Sequence, residues 1–403
     1  MKGLTFKLGT ALVTFMIGLG IATAWVLRVP PTGIQPIEIT ETADSAGAAA
    51  NSRALEMVFV LDTTGSMGGL LEGAKQRIWG IVNEVMQSSS KPAVKIGLVA
   101  YRDRGDAYVT QVLPLTNDLD KAYSTLMDYQ AQGGGDEPEN VRRALVDGVR
   151  RAGWSKASSS VTQILFLVGD APPHDDYSDE PNTAATASEA VQKGMIVNTI
   201  QCGETLRTRE VWQMIAQRGQ GQYFSIAQNG GVQAIASPYD EQLGQLASKL
   251  GKTFVAYGGG AGSAGEKFRA DTVARGAVME SKVETSAAPM AKAERALNKA
   301  INSEAYVDDL LQSIENGSVK IDAIKEEDLS SDLKQLSPEA RKQEIEKRLA
   351  ERRTLRAQIV SLSKQRDEFI AAERRKQNGG KETGFDAAVA TALKEQLSRK
   401  VIK

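Results

Sequence analysis

The strongest constraint on the fold is a regular alternation of apolar and amphipathic segments between residues 54 and 258. Apolar runs of strand length, such as MVFVL at 57–61 and TQILFLVG at 162–169, alternate with stretches whose apolar residues have helical spacing. This alternation is typical of a mainly parallel sheet with helices on both faces. The sequence therefore predicts a doubly wound α/β domain over residues 54–258.

The individual elements can be placed along this domain. The predicted strands are 57–61, 94–101, 108–115, 162–169, 195–202 and 221–226. The predicted helices lie near 69–88, 118–130, 139–152, 183–193, 208–218 and 240–254. After residue 258 the strand-like runs stop, so the sheet is expected to be complete there.

At 403 residues the chain is too long for one ordinary core, which predicts further segments on either side of the α/β domain. Residues 31–53 are small and polar and are expected to be a linker. Residues 259–300 begin in a glycine-rich stretch and are expected to be a flexible linker. Residues 301–403 are charged and helix-forming, which predicts an all-α or coiled-coil extension.

A heptad pattern runs through residues 338–377 of that extension, with its apolar positions at Ile345, Leu355, Ile359, Leu362 and Phe369. The same seam is interrupted by Arg348, Arg352 and Arg366. Such a pattern suits a helical hairpin or small bundle, a coiled coil that makes homo-oligomers, or a single solvated helix. The sequence leaves these alternatives open.

The N-terminal residues 1–30 contain an uncharged apolar run from Leu8 to Leu27, long enough as a helix to span about 30 Å of hydrocarbon. Lys2 and Lys7 precede it, which by the positive-inside rule places the rest of the chain outside the cytoplasm. A small-residue cleavage site at 22–24 makes a removable signal peptide the alternative. We favour an uncleaved transmembrane anchor in the cell membrane, with the bulk of the chain in an extracytoplasmic, such as periplasmic, location.

Composition excludes several classes of function. The net charge of −1 gives no indication of nucleic-acid binding. Cys202 is the only cysteine and His174 the only histidine, so one chain can build neither a thiolate cluster nor a site with several histidines. We expect Cys202 to be a buried strand residue, and His174 to be a surface or hydrogen-bonded loop residue.

Oxygen-bearing side chains are concentrated where predicted strands end. Asp62 follows the first strand directly, and Thr64 and Ser66 come at alternate positions after it. Asp170 stands at the exit of the strand 162–169. In a doubly wound sheet, ligands bind beyond the carboxyl ends of the strands, so Asp62 and Asp170 would face one another if their strands are neighbours.

A third loop, GGGDEPEN at 133–140, offers Asp136 and Glu139 just before a predicted helix. Glu139 can be explained as a first-turn acid that the helix dipole favours, so Asp136 is the preferred candidate for the site. Carboxylates this close are tolerable only with a shared proton or a cation. Carboxylate and hydroxyl oxygens are the ligands of hard cations, which predicts Mg²⁺, or alternatively Mn²⁺ or Ca²⁺.

The array Asp62-Thr64-Ser66 within DTTGSM, followed by GGGDEPE and the strand-exit Asp170, resembles the metal-ion-dependent adhesion site (MIDAS) of von Willebrand factor type A (VWA) domains. The resemblance implies a Rossmann-like fold and a divalent cation that binds protein partners through an acidic residue. Thr64 replaces the middle serine of the family's DxSxS pattern and keeps the hydroxyl. The family's second-loop threonine has no clear counterpart, and Asp136 or Glu139 stands in that loop instead.

Other readings of the same residues are weaker. An aspartic protease needs Asp-Thr-Gly-Ser, and this chain has one threonine too many and no second such motif. A phosphoryl-transfer enzyme with Asp62 as nucleophile would be helped by an acid two residues later, where Thr64 stands. A scaffold without metal also remains open. We therefore expect a non-enzymatic, membrane-tethered VWA protein that binds a partner's acidic residue through its cation.

Overall fold

The computed structural model describes residues 54–87, 92–229, 231, 235–302, 304–378 and 384–399, which belong to one compact unit. The expected anchor or signal at 1–30 and the linker at 31–53 lie outside the described residues. Within the described ranges, no helix is both long enough and apolar enough to cross a membrane.

A six-stranded sheet forms the centre of this unit, in the order β3-β2-β1-β4-β5-β6. Its strands are β1 Ala54–Asp62, β2 Ala93–Tyr101, β3 Thr110–Thr116, β4 Val161–Gly169, β5 Met195–Cys202 and β6 Gln220–Ile226. All neighbours are parallel except β2 and β3. The predicted mostly parallel sheet is confirmed, and each strand lies where the apolar runs predicted it.

Twelve α-helices are assigned in the described part of the chain. The helices between and directly after the strands are α1 Gly68–Met86, α2 Leu119–Asp128, α3 Val141–Arg150, α4 Thr183–Gln192, α5 Leu206–Arg218 and α6 Asp240–Gly251. The helices of the C-terminal region are α7 Gly262–Ser286, α8 Pro289–Ile301, α9 Leu310–Glu315, α10 Ser331–Lys334, α11 Pro338–Asn378 and α12 Phe385–Arg399.

The two faces of the sheet explain why the central strands carry nearly continuous apolar runs. Along β1, Met57 and Phe59 point into a core formed with α1, α2 and α12. Val58 and Val60, in between, point into a second core formed with α3, α4 and α5. A strand buried on both faces cannot alternate apolar with polar residues, which is the pattern of a doubly wound sheet.

Residues 259–300, expected to be a flexible linker, instead form α7 and α8. The glycine turn that suggested flexibility is held by Arg269, whose guanidinium donates to the carbonyls of Gly258 and Gly260 at 2.7 and 3.2 Å. In α8, the buried Arg295 forms ion pairs with Asp120 of α2 at 2.8 Å and with Glu280 of α7 at 2.6 Å. These long-range contacts fix a segment whose composition alone resembles a linker.

The heptad seam of α11 faces its own chain. Ile345 and Ile359 are buried in clusters with residues of α6, α8 and α9. Arg352, one of the arginines that interrupt the seam, is fully buried and binds Asp309 at 2.5 and 3.0 Å. Arg366, another, binds Asp240 of α6 at 2.6 Å. The apolar positions that suggested a coiled coil are thus used within one chain, as in the bundle alternative.

We expect Arg352→Met to destabilise the fold by about 3–5 kcal/mol, because it leaves the Asp309 carboxylate buried without a countercharge. Urea unfolding followed by circular dichroism measures the change. Arg353→Met is the matched control, since that side chain is 68% exposed and should change stability by no more than about 0.5 kcal/mol. Equal stability of the two variants would contradict a structural role for the buried pair.

Candidate metal centre

The candidate site lies at the carboxyl ends of β1 and β4, where the strand order reverses direction. Asp62 is the last residue of β1, and Asp170 follows the last residue of β4. The two strands are neighbours with Leu61 opposite Val168, so both aspartates leave the sheet at the same edge. A side chain on Gly169 would come within 3.1 Å of the Asp62 carboxylate, so the glycine permits this close packing.

The first loop is organised around the Asp62 carboxylate. Its Oδ1 accepts hydrogen bonds from the Thr64 amide at 2.9 Å and from the Thr64 hydroxyl at 2.7 Å. The Thr64 hydroxyl lies 3.4 Å from that of Ser66, which stands in the 3₁₀ turn leading into α1. The other carboxylate oxygen, Asp62 Oδ2, is buried and has no hydrogen-bond partner among the described residues.

Glu139 faces the same loop from the segment before α3. Its backbone is fixed by the loop after β4, since its amide donates to the Pro172 carbonyl at 3.0 Å. Gly134, with φ of 79°, brings the second loop so close that a Cβ there would lie 2.8 Å from Glu139 Oε1 and 3.0 Å from Thr64 Cβ. Within the described structure, Glu139 Oε2 is likewise buried and without a partner.

Burial and mutual repulsion raise the pKa values of both acids. Desolvation, with the nearby Asp170 carboxylate, raises the pKa of Asp62 to about 7. Desolvation, followed by the charges of Asp62, Asp103, Asp106 and Asp170, raises the pKa of Glu139 to about 9. The surrounding protein therefore disfavours the charged form of both acids.

Four of the five sequence-predicted residues, Thr64, Ser66, Asp136 and Asp170, line one cleft of about 290 Å³ together with Glu139. Asp62 is fully buried and does not line it. Asp136 is at the rim, with its side chain 64% exposed and one oxygen 3.8 Å from His174 Nε2. The structure thus gives Glu139 closer contact with the Asp62 loop than Asp136, the acid that the sequence analysis preferred.

Sequence reasoning missed one further residue of the cleft. Gln228 donates through Nε2 to Asp170 Oδ2 at 2.5 Å and so orients that carboxylate. It stands just after β6, which ends at Ile226. Because parallel strands end at one edge of the sheet, the strand-exit rule that selected Asp62 and Asp170 also selects this position.

In the presence of a chelator, we expect Glu139→Gln to stabilise the protein increasingly as pH rises from 5 to 9. Acids whose pKa is raised by folding bind more protons in the folded state, so their contribution to stability is lost as pH rises toward the folded-state value. For Glu139 that range runs from the ordinary value of 4.5 to about 9. The free energy of unfolding, measured in urea at several pH values, reports the difference from wild type. A difference that does not change with pH would count against the raised pKa.

Comparison with known proteins identifies the family of the α/β domain. The family model described as von Willebrand factor A domain matches residues 56–238. A 92-residue stretch is 40% identical to mouse (Mus musculus) von Willebrand factor A domain-containing protein 7, covering 23% of this chain and 10% of that protein. A putative ariadne-like RING finger protein of Acanthamoeba polyphaga mimivirus is 26% identical over 164 residues, covering 40% of this chain and 15% of the viral protein. The matches thus span a small part of these relatives.

Solved structures were also found. A conserved hypothetical protein BatB from Bacteroides thetaiotaomicron is 19% identical, with a TM-score of 0.33 over 43% of this chain and 90% of that one. The SpRpn10 VWA domain is 16% identical, with a TM-score of 0.34 over 45% of this chain and 91% of that one. From the family model, residues 56–238 of the chain are a von Willebrand factor A domain.

Proposed function

We propose that this VWA domain binds a protein partner through a divalent cation held at the carboxyl ends of β1 and β4. The observation that carries the proposal is the pair of buried carboxylate oxygens, Asp62 Oδ2 and Glu139 Oε2, which lack hydrogen-bond partners among the described residues. Buried charges in proteins are normally paired or bound to a metal. A cation between the two loops would satisfy both oxygens and relieve the repulsion with Asp170.

The donor set suits a hard cation. Asp62, Thr64, Ser66 and Asp170 offer carboxylate and hydroxyl oxygens, which Mg²⁺, Mn²⁺ and Ca²⁺ prefer as ligands. When bound, the cation supplies a positive charge and one free coordination position. An oxygen of an acidic side chain of the partner can fill that position. The proposal is a binding role without catalysis.

We assign the fifth position of the site to Glu139 in preference to Asp136. Glu139 is buried, approaches Thr64 across Gly134, and is repelled by the charges of Asp62 and Asp170. Asp136 is largely exposed and stands closer to His174. Because an extra carboxylate makes the site more negative, it should hold a cation more tightly and weaken its attraction for a partner's acid.

The other parts of the chain orient and present this site. Thr64 holds Asp62 through two hydrogen bonds, and Gln228 holds Asp170, so the carboxylates are oriented before a ligand arrives. Thr64, Ser66 and Asp170 line the cleft. We further propose that residues 8–27 tether the domain to the cell membrane, with the site outside the cytoplasm.

We expect Asp62→Ala to abolish Mg²⁺ binding in isothermal titration calorimetry while the circular dichroism spectrum stays that of the wild type. Glu139→Gln should weaken Mg²⁺ binding at least tenfold, or about 1.4 kcal/mol. Asp136→Asn is the matched control on the same loop and should leave the affinity within about threefold, or 0.65 kcal/mol. Unchanged Mg²⁺ affinity in Asp62→Ala would refute the assigned site, and a larger effect of Asp136→Asn would restore Asp136 as the ligand.

We expect partner capture from membranes to require the cation. The full chain used as bait should retain a protein in Mg²⁺ and release it in EDTA, and Asp62→Ala should retain none. If capture is insensitive to EDTA and to Asp62→Ala, the chain is acting as a scaffold that needs no metal. Mass spectrometry of the released protein identifies the partner.

A further inference from the structure

A second group of metal-binding side chains lies beside the Asp62 cluster. Asp103, Asp136 and His174 come from three different loops, and their ligand atoms lie within 4.8 Å of one another. His174 Nε2 is 3.3 Å from Asp103 Oδ2 and 3.8 Å from Asp136 Oδ2. Unlike the Asp62 cluster, this group contains a nitrogen donor.

The histidine is oriented as a ligand. Its Nδ1 lies 3.0 Å from Asp176 Oδ1, and because a carboxylate can only accept, Nδ1 carries the proton. In the neutral imidazole, Nε2 then has its lone pair directed toward Asp103 and Asp136. This atom is buried and has no hydrogen-bond partner in the described part of the chain. A histidine that donates its other N–H to a carboxylate is the usual arrangement at protein metal sites.

The aspartate beside it is also fixed. The Tyr177 hydroxyl donates to both oxygens of Asp103, at 3.0 and 2.9 Å. The Tyr177 ring stacks on the His174 ring with the centroids 4.2 Å apart. The side chains of Asp103 and His174 are 8% and 12% exposed, whereas Asp136 is exposed and leaves the group open to solvent on one side.

We propose that Asp103, Asp136 and His174 form a second metal site, selective for Zn²⁺ over Mg²⁺ and separate from the Asp62 cluster. Two ligand atoms that each lie about 2.1 Å from a tetrahedral zinc ion are about 3.4 Å apart, which matches the His174 to Asp103 spacing of 3.3 Å. The exposed Asp136 side chain offers the third ligand atom, within 4.8 Å of the other two. An imidazole with two carboxylates suits Zn²⁺, whereas Mg²⁺ and Ca²⁺ prefer oxygen ligands alone.

The experiment is a calorimetric titration of the detergent-solubilised full chain, without a polyhistidine tag, with ZnCl₂ in excess MgCl₂. The excess Mg²⁺ occupies the hard-cation site and leaves zinc to report on the second one. His174 is the only histidine of the chain, so a sample with ¹⁵N-labelled histidine gives one imidazole to follow by NMR. We expect one zinc ion per chain and a shift of the Nε2 resonance that is complete at one equivalent.

Matched variants locate the site. His174→Gln and Asp136→Asn should remove this zinc binding and leave the Mg²⁺ affinity unchanged, and the exposure of Asp136 makes its variant safe for folding. Asp176→Asn, which alters only the group that orients His174, should weaken zinc binding about 10–100-fold. Asp175→Asn, an exposed neighbour that pairs with Arg207, should have no effect.

The alternative to zinc at Nε2 is a second proton on the imidazole. His174 would then be positively charged and would form an ion pair with Asp103. An imidazole resonance that stays in its doubly protonated form throughout the zinc titration would establish that alternative and overturn the proposal. Zinc affinity that is equal in wild type, His174→Gln and Asp136→Asn would overturn it as well.

Discussion

The parallel pairing of β1 with β4 is the constraint on which the site depends. It brings the ends of two buried strands side by side; β1 ends in Asp62, and Asp170 directly follows β4. Because both strands are covered on two faces, their register is set by the cores, and the carboxylates cannot move apart without disturbing the sheet. The fold therefore holds negative charges together at one edge, where desolvation and repulsion raise the pKa values of Asp62 and Glu139. A cation or bound protons must therefore offset the desolvation and mutual repulsion of these carboxylates.

Buried ion pairs join the C-terminal helices to the α/β domain. Arg295 of α8 binds Asp120 of α2, and Arg366 of α11 binds Asp240 of α6. Glu294 of α8 accepts hydrogen bonds from Arg77 of α1 at 2.8 Å and from Arg366 at 3.3 Å. Buried pairs of this kind add little net stability but make alternative arrangements costly, since each partner would be left as an unpaired charge. They specify one position for the helices against the domain.

The sheet could be predicted well because its strands are local signals: the apolar runs of β1, β4 and β5 are long, buried on both faces and bounded by polar turns. Asp62, Thr64, Ser66 and Asp170 followed from the strand ends. What could not be predicted depends on contacts between distant residues. The glycine turn before α7 resembles a linker until Arg269 satisfies its carbonyls, and Arg352 resembles a break in a heptad until Asp309 is seen beside it. The helix dipole accounts for Glu139 in the sequence, and only the structure shows that Gly134 brings its loop against Glu139 and Thr64.

One consequence concerns the order of folding. The ring of Phe385, in α12, lies 6.0 Å from that of Phe59 in the central strand, and Val389 and Leu393 are buried in the same core. One face of the sheet is thus completed by a helix that leaves the ribosome more than three hundred residues after the strand it covers. Until then the part of that face that α12 covers stays accessible to water and to other chains, while α1 and α2 cover the rest. Contacts of such long sequence separation slow folding and prolong exposure to aggregation.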